Sequence, residues 1–264
     1  MSQKRVGCFG DPHCGHRAGL TPPDWWSALT RTRLGKWGRI QRECWNWFAH
    51  EVKAIKPLHL AVWNGDLIDG TGHRSGGTEL IVQDRYEQCE MAERMVQEVG
   101  AKYNLFIRGT PFHVGEEEDW EDFIAQKFGE KCHDHEWPEI NGVVFDVKHH
   151  VGGSQIPHGR DTATLKDSLW SLIWDDAGYQ PKADIIVRSH VHYHRGMMWM
   201  SGAKQKWAFI LPALQGMGSK FGARRMSGLV DFGFMHFDVG EKGDFSWQSH
   251  IGFIQSQRAQ ARKY

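Results

Sequence analysis

Two aspartates and six histidines stand out in this sequence because they fall into five short groups. These are Asp11-Pro12-His13, Asp66, His113, His149-His150 and His190-Val191-His192. Carboxylate oxygen and imidazole nitrogen together suit first-row divalent cations such as Mn, Fe, Zn, Co and Ni. The Asp-x-His and His-x-His spacings matter as well. Alternate residues of an extended segment point the same way, so both members of a pair can face one ion. Where such a pool serves two ions about 3.5–4 Å apart with a shared carboxylate, it clamps the attacking and leaving oxygens of a phosphoryl transfer.

The elements that must carry these residues repeat one arrangement. Arg5–Gly10 is a short apolar run ending at Asp11, and Leu58–Trp63 runs into Asn64-Gly65-Asp66. Tyr103–Arg108 ends at Gly109, just before His113. Ile140–Lys148 ends at His149-His150, and Ala183–Arg188 ends at Ser189-His190. Each run reads as a strand. Between them lie helical patterns over Trp37–Ile55, Glu79–Val99, Glu116–Phe128 and Thr162–Trp174. Pro57 closes the first, Gly100 stands where the second should stop, and acids fill the first turn of the third. In an open α/β sheet, ligands bind outside the carboxyl ends of the strands. If the five strands lie side by side, their groups converge at one edge. After residue 190 the pattern turns β-rich, with strands expected at Met197–Met200, Trp207–Leu214, Phe232–Val239 and Phe245–Ile254. No linker separates the halves, which predicts one domain over residues 1–264 with two packed sheets.

Composition excludes several classes. The 40% hydrophobic and 24% charged fractions, with 30 glycines, are those of a globular chain, neither disordered nor fibrous. The 32 Lys and Arg are balanced by 32 Asp and Glu, which argues against a polycation built for nucleic acid. No apolar stretch is long enough for a membrane span, and the N-terminus lacks a signal-peptide core. Five cysteines at irregular spacings read as reduced thiols of a cytoplasmic protein.

In order and approximate spacing, Asp11-Pro12-His13, Gly65-Asp66, Gly109 with His113, His149-His150 and Ser189-His190-Val191-His192 resemble the motifs of the calcineurin-like metallophosphoesterase superfamily. The resemblance runs from residue 5 to about residue 240 and is similar in size to the stand-alone phosphoesterases of phage and bacterial genomes. It implies a four-layer α/β/β/α sandwich, two mixed sheets flanked by helices. It implies two divalent metal ions, manganese foremost, with iron, zinc, nickel or cobalt as the others. Asp11, His13 and His192 would hold the first ion, Asp66 would bridge both, and His149 and His190 would serve the second. His149 is preferred to His150 because the family ligand sits directly at the strand end. His113 resembles the non-ligand histidine near the leaving group and would be the catalytic acid. The implied reaction is in-line attack of a metal-bound hydroxide on a phosphate ester. A phosphodiester of a nucleotide or nucleic acid is the expected substrate and partner. A phosphomonoester, or a metal-binding scaffold without catalysis, is the alternative.

Two positions depart from the family pattern. Its third motif, Gly-Asn-His, here reads Gly109-Thr110-Pro111-Phe112-His113. A threonine hydroxyl is a poor neutral ligand, so a water is expected in place of the asparagine. Ser189 replaces a glycine, a small change. The tyrosine ligand of purple acid phosphatases is absent from Leu67-Ile68-Asp69, which disfavours that branch. Other features read as structural. Asp69 reads as a cap or supporting acid, and the acidic run Glu116–Asp122 as a solvated helix start. Trp25-Trp26, in the 14–36 loop, read as core, with stacking on a base as the alternative. Lys220, Arg224 and Arg225, in the Gly- and Arg-rich 216–230 loop, read as solvated, with a phosphate clamp as the alternative.

Overall fold

A computed structural model describes residues 2–26, 35–115, 119–202, 204–217, 229–257 and 261. Lys220, Arg224 and Arg225, the middle of the 14–36 loop and part of the acidic run lie outside the described residues.

The strands form two sheets. In the first, β1 (Lys4–Phe9), β2 (Leu60–Asn64), β3 (Tyr103–Ile107) and β4 (Cys132–His133) are successive parallel neighbours. β10 (Phe232–Val239) and β11 (Phe245–Gly252) extend it antiparallel on the other side of β1. The second sheet has β6 (Val143–Val147), β7 (Ile185–Arg188) and β9 (Lys204–Ile210) in parallel. Its antiparallel edges are β5 (Glu139–Ile140) and β8 (Arg195–Ser201).

Side-chain alternation explains why both sheets are covered on both faces. In β1, Val6 and Cys8 point into the core between the sheets, where they meet Phe145, Val187 and Phe209. Phe9, one residue out of phase, joins Trp63 and Phe106 in a second core. That core is closed by α1 (Gly35–Ile55), α2 (Arg85–Val99) and α4 (Trp120–Lys127), through Phe48, Val96 and Ile124. On the far side, Ile186, Ala208 and Ile210 pack with Ala163 of α5 (Thr162–Asp176). The layers run helix, sheet, sheet, helix, as the resemblance implied. Strands buried on both faces read as unbroken apolar runs, which is why β1, β2 and β7 are legible in the sequence.

Several boundaries differ from expectation. Ile140–Lys148 is a hairpin, not one strand. It turns at Asn141-Gly142, whose φ angles of 50° and 85° are those of a type I′ turn. The helix expected from Glu79 starts at Arg85, because the Asp84 carboxylate accepts the Tyr86 and Glu87 amides. The one expected from Glu116 starts at Trp120 behind the Asp119 cap. A short helix, α3 (Pro111–Val114), and strand β4 carry no periodic signal and were not expected. Among the described residues, no helix is long and apolar enough to cross a membrane.

Candidate metal centre

The loops that leave β1, β2, β6 and β7 are laced into one edge. The amides of Asp11, His13 and Cys14 donate to the carbonyls of Gly65, Asp66 and Leu67 at 3.1, 3.1 and 2.9 Å. The β1–β2 pairing thus continues past the strand ends. Asn64 then bridges the sheets. Its Nδ2 donates to Ser189 Oγ at 2.8 Å, and its carbonyl accepts His149 Nδ1–H at 2.7 Å. The His190 amide donates to Asp11 Oδ2 at 3.1 Å.

This edge is built from unusual backbone. Among the described residues, six non-glycines have φ in the left-handed region. Asn141 belongs to the hairpin turn. The other five are Asp11 (52°), His13 (44°), Asp66 (53°), His190 (76°) and His192 (57°). Each such conformation costs about 1–3 kcal/mol and gathers at functional sites. Two glycines make room. A Cβ on Gly65 (φ 81°) would collide with the His149 ring, and one on Gly109 with the Asp66 backbone and carboxylate.

Among the described residues there are three groups of possible ligand atoms, the atoms of each lying within 4.8 Å of one another. Asp11, His13 and His192 form one, Asp66, His149 and His190 the second, and His13, Asp69 and His113 the third. In the first, His192 Nε2 is 3.2 Å from both Asp11 Oδ1 and His13 Nε2. In the second, His149 Nε2 is 3.2 Å from Asp66 Oδ2. The two groups abut, with His149 Nε2 4.0 Å from Asp11 Oδ1. Asp11 Oδ1, His149 Nε2 and His190 Nδ1 are buried and have no hydrogen-bond partner. A buried polar atom left so costs about 1–3 kcal/mol. Three of them converge on a common space, with the other ends of Asp11 and His149 fixed by hydrogen bonds. The donor set fits divalent cations.

The charge states of the two carboxylates and of two of the histidines agree with ligation, whereas a cation at His149 would have to displace a proton. Burial pushes the Asp66 carboxyl up, but His149 beside it holds the group well below the usual range. Asp11 is likewise lowered, with His192 and then His149 outweighing its burial. Burial, then His149, pushes His190 down to about 4, and burial with His113 lowers His13. His149 goes the other way, because Asp66 outweighs burial and raises it to about 10. The carboxylates are therefore anionic, and His13 and His190 neutral, as ligands must be.

Supporting residues surround these groups. Asp69 Oδ1 accepts His13 Nδ1–H at 3.1 Å, which turns His13 Nε2 toward Asp11 and His192. Thr110 donates to Asp66 Oδ1 from its amide at 2.7 Å and its hydroxyl at 3.1 Å. The threonine therefore anchors Asp66. His113, on α3, donates from Nδ1 to the Asp69 carbonyl at 2.9 Å, and its ring lies 4.5 Å from that of His13. It lines a cavity of about 380 Å³ together with Thr71, His73 and Phe112. His150 is exposed beside His190 and joins none of the groups. His194 turns away to the Ile210 carbonyl and Ser249.

One reading of the sequence is corrected. Glu121 is not part of a solvated helix start. It is fully buried, and its two oxygens accept the amides of Leu67 and Gly109 at 2.7 and 2.5 Å. Burial, then Asp66, raises its carboxyl to about 8. Glu121 shares a helical face with Ile124 and Ala125, the one signal that could have revealed it. Trp25 and Trp26 pack on the helix-side core, with their indole N–H groups on Glu87 and the Thr21 carbonyl.

No family model matches the sequence, and no curated protein matches it. Solved structures do. Purple acid phosphatase PPD1 from yellow lupin seeds is similar at 11% identity and a TM-score of 0.52, over 99% of this chain and 53% of that one. The chain shares that enzyme's fold, two mixed sheets flanked by helices. It spans about half the length of the lupin enzyme. Vps29 of Entamoeba histolytica, complexed with zinc, is 14% identical over 94% of this chain and 98% of that one, at a TM-score of 0.44. The sulfate thiohydrolase SoxB of Thermus thermophilus is 12% identical over 97% and 58%, at 0.42.

Proposed function

We propose that the chain is a dinuclear metal-dependent phosphoesterase of the calcineurin-like superfamily, a single unit over residues 1–264 acting in the cytoplasm. The observation that carries this reading is the convergence of the unpartnered atoms Asp11 Oδ1, His149 Nε2 and His190 Nδ1 between two abutting ligand groups. Asp11, His13 and His192 would hold one cation, His149 and His190 the other, and Asp66 both. Two divalent ions bound there, manganese foremost, would supply Lewis acidity toward the phosphoryl oxygens and the attacking water.

The chain's own groups do the rest. Asp69 orients His13, and Thr110 with Glu121 fixes the loop that carries Asp66. The Nδ1–H of His113 is committed to a backbone carbonyl, so Nε2 is the atom that would hand a proton to the leaving oxygen. The adjoining cavity offers the leaving group a seat lined by Phe112 and His73. A planar group suits that lining, which supports a phosphodiester of a nucleotide or nucleic acid over a phosphomonoester.

The test is metal analysis after reconstitution, followed by a screen of mono- and diester substrates, with bis(p-nitrophenyl) phosphate first. Two equivalents of metal with diester turnover support the enzyme. Metal without turnover on any ester assigns the chain to the scaffold reading instead, which the anchoring role of Thr110 favours.

A further inference from the structure

We propose that helix α5 is a dimerisation face whose occupant is α5 of a second copy of this chain. The helix covers the second sheet, yet the residues it buries there are Thr164, Ser168 and Ser171. Five of its larger apolar residues face outward. Leu165 (44%), Leu169 (57%), Trp170 (42%), Ile173 (43%) and Trp174 (36%) keep these fractions exposed. Their spacing of i, i+4, i+5, i+8 and i+9 is one continuous stripe. Tyr179, 82% exposed, continues it past the helix end, where its amide donates to the Trp174 carbonyl at 2.8 Å. A helix that served only its own core would turn such a stripe inward.

The area is what a small dimer needs. At about 150–250 Å² for a whole aromatic side chain and somewhat less for an aliphatic one, these six expose roughly 600 Å². That is at or beyond the largest patch of an ordinary monomer, about 300–600 Å². A stable homodimer buries about 800 Å² on each partner, about 65% of it apolar, so it needs about 500 Å² of such surface.

Charge selects the occupant. Lys166 sits in the middle of the stripe, and Asp176 lies on the same exposed face ten residues on. Neither has an ion pair among the described residues. A lysine centred in an apolar interface requires an anion. At 1.5 Å per residue, Lys166 and Asp176 lie about 7.5 Å on either side of Ser171. A two-fold axis through that level, relating antiparallel helices, brings Asp176 of one copy to Lys166 of the other, twice. A membrane would not serve, because interfacial helices carry several Lys or Arg on their polar face. Here the helix has a single lysine, Lys166, and ends in Asp175 and Asp176.

Sedimentation equilibrium of the full chain over about 1–100 μM tests this. The expected species has twice the 30.3 kDa mass. Leu169→Asp with Ile173→Asp should raise the dissociation constant more than about 100-fold. Lys166→Glu alone should raise it about tenfold, since two attractions become repulsions. Adding Asp176→Lys should restore it to within about threefold. Lys166 and Asp176 are exposed, so these variants should keep the far-UV circular dichroism of the wild type. A wild type that is monomeric throughout the range overturns the proposal, as does a charge reversal that the second substitution does not rescue. A monomer that sediments with anionic phosphatidylserine vesicles would give the stripe to a membrane and overturn it too.

Discussion

Asp66→Asn separates the charge of the shared carboxylate from its shape. Oδ1 accepts two hydrogen bonds from Thr110, and an amide oxygen keeps both. At the Oδ2 position the new NH₂ would face His149 Nε2, 3.2 Å away, and donate to it. Near neutral pH the metal-free fold exchanges a buried ion pair with His149 for a neutral hydrogen bond, and its stability should fall by about 3–5 kcal/mol. Metal binding loses twice over. The bridging charge disappears, and His149 Nε2 is taken up by the new amide. Loss of a residue that merely supports a ligand costs about 10–100-fold in metal affinity, so the second equivalent should bind more than about 100-fold more weakly. Turnover of bis(p-nitrophenyl) phosphate should fall at least about 10³-fold, roughly 4 kcal/mol, since one preorganised electrostatic partner alone is worth about 10²–10³. Equilibrium dialysis against Mn²⁺ with elemental analysis, initial rates, and urea midpoints in chelator read the three quantities separately. Two bound equivalents with a rate within tenfold of wild type would refute the bridging role. A loss of stability beyond that range without metal would show that Asp66 acts through the fold instead.

Three further outcomes follow from the same geometry. His149→Ala should lose the second equivalent of metal, whereas His150→Ala should retain both; equal metal content in the two variants would disprove the distinction. His113→Ala should leave metal content unchanged and slow esters with poor leaving groups by about 10²-fold or more, with p-nitrophenyl esters much less affected; metal loss with equal slowing of both would make His113 a ligand. Glu121, raised from 4.5 to about 8 by burial and then Asp66, keeps in the folded state a proton that the unfolded chain sheds. Its stabilising contribution is thus full below about pH 4.5 and lost as pH rises through 8. Glu121→Gln removes that titration, so the urea midpoint of the metal-free wild type should fall more steeply from pH 5 to 8 than that of the variant. Parallel slopes would rule Glu121 out as the cause.

The strand ends were legible because of a physical contrast. A strand buried on both faces is an unbroken apolar run, so Asp11, Asp66, His149 and His190 show up as the polar residues that terminate it. Partnership between strands was not legible. β10 and β11 join the first sheet beside β1 through contacts more than 200 residues apart in sequence, and local patterning says nothing of such pairing. Glu121 was hidden for a different reason. An acid in the first turn of a helix is ordinarily a solvated complement to the dipole, and only its phase relative to Ile124 sets it apart. α5 shows the converse limit. Its periodicity revealed a helix but not which stripe faces the sheet, since Thr164, Ser168 and Ser171 make as regular a face as the leucines and tryptophans.

Stability and site geometry are opposed at this edge. Five residues hold left-handed backbone, and Asp11 and Asp66 are both buried carboxylates, each pushed up by its burial. Three buried atoms of Asp11, His149 and His190 lack partners. All of these costs stand in the metal-free chain, and all concern groups that a cation would engage. Thr110 donating, and Glu121, the Asn64 carbonyl and Asp69 accepting, offset them through hydrogen bonds that leave the converging atoms unused. A site whose strain is held by its surroundings, and whose unsatisfied atoms point at one space, is organised before its ligand arrives. The free energy of cation binding then appears in the stability of the whole chain, about 2.7 kcal/mol at a free concentration 100 times the dissociation constant. The folded scaffold and the metal centre are thus one thermodynamic unit, and the melting transition reports on occupancy even where no substrate is known.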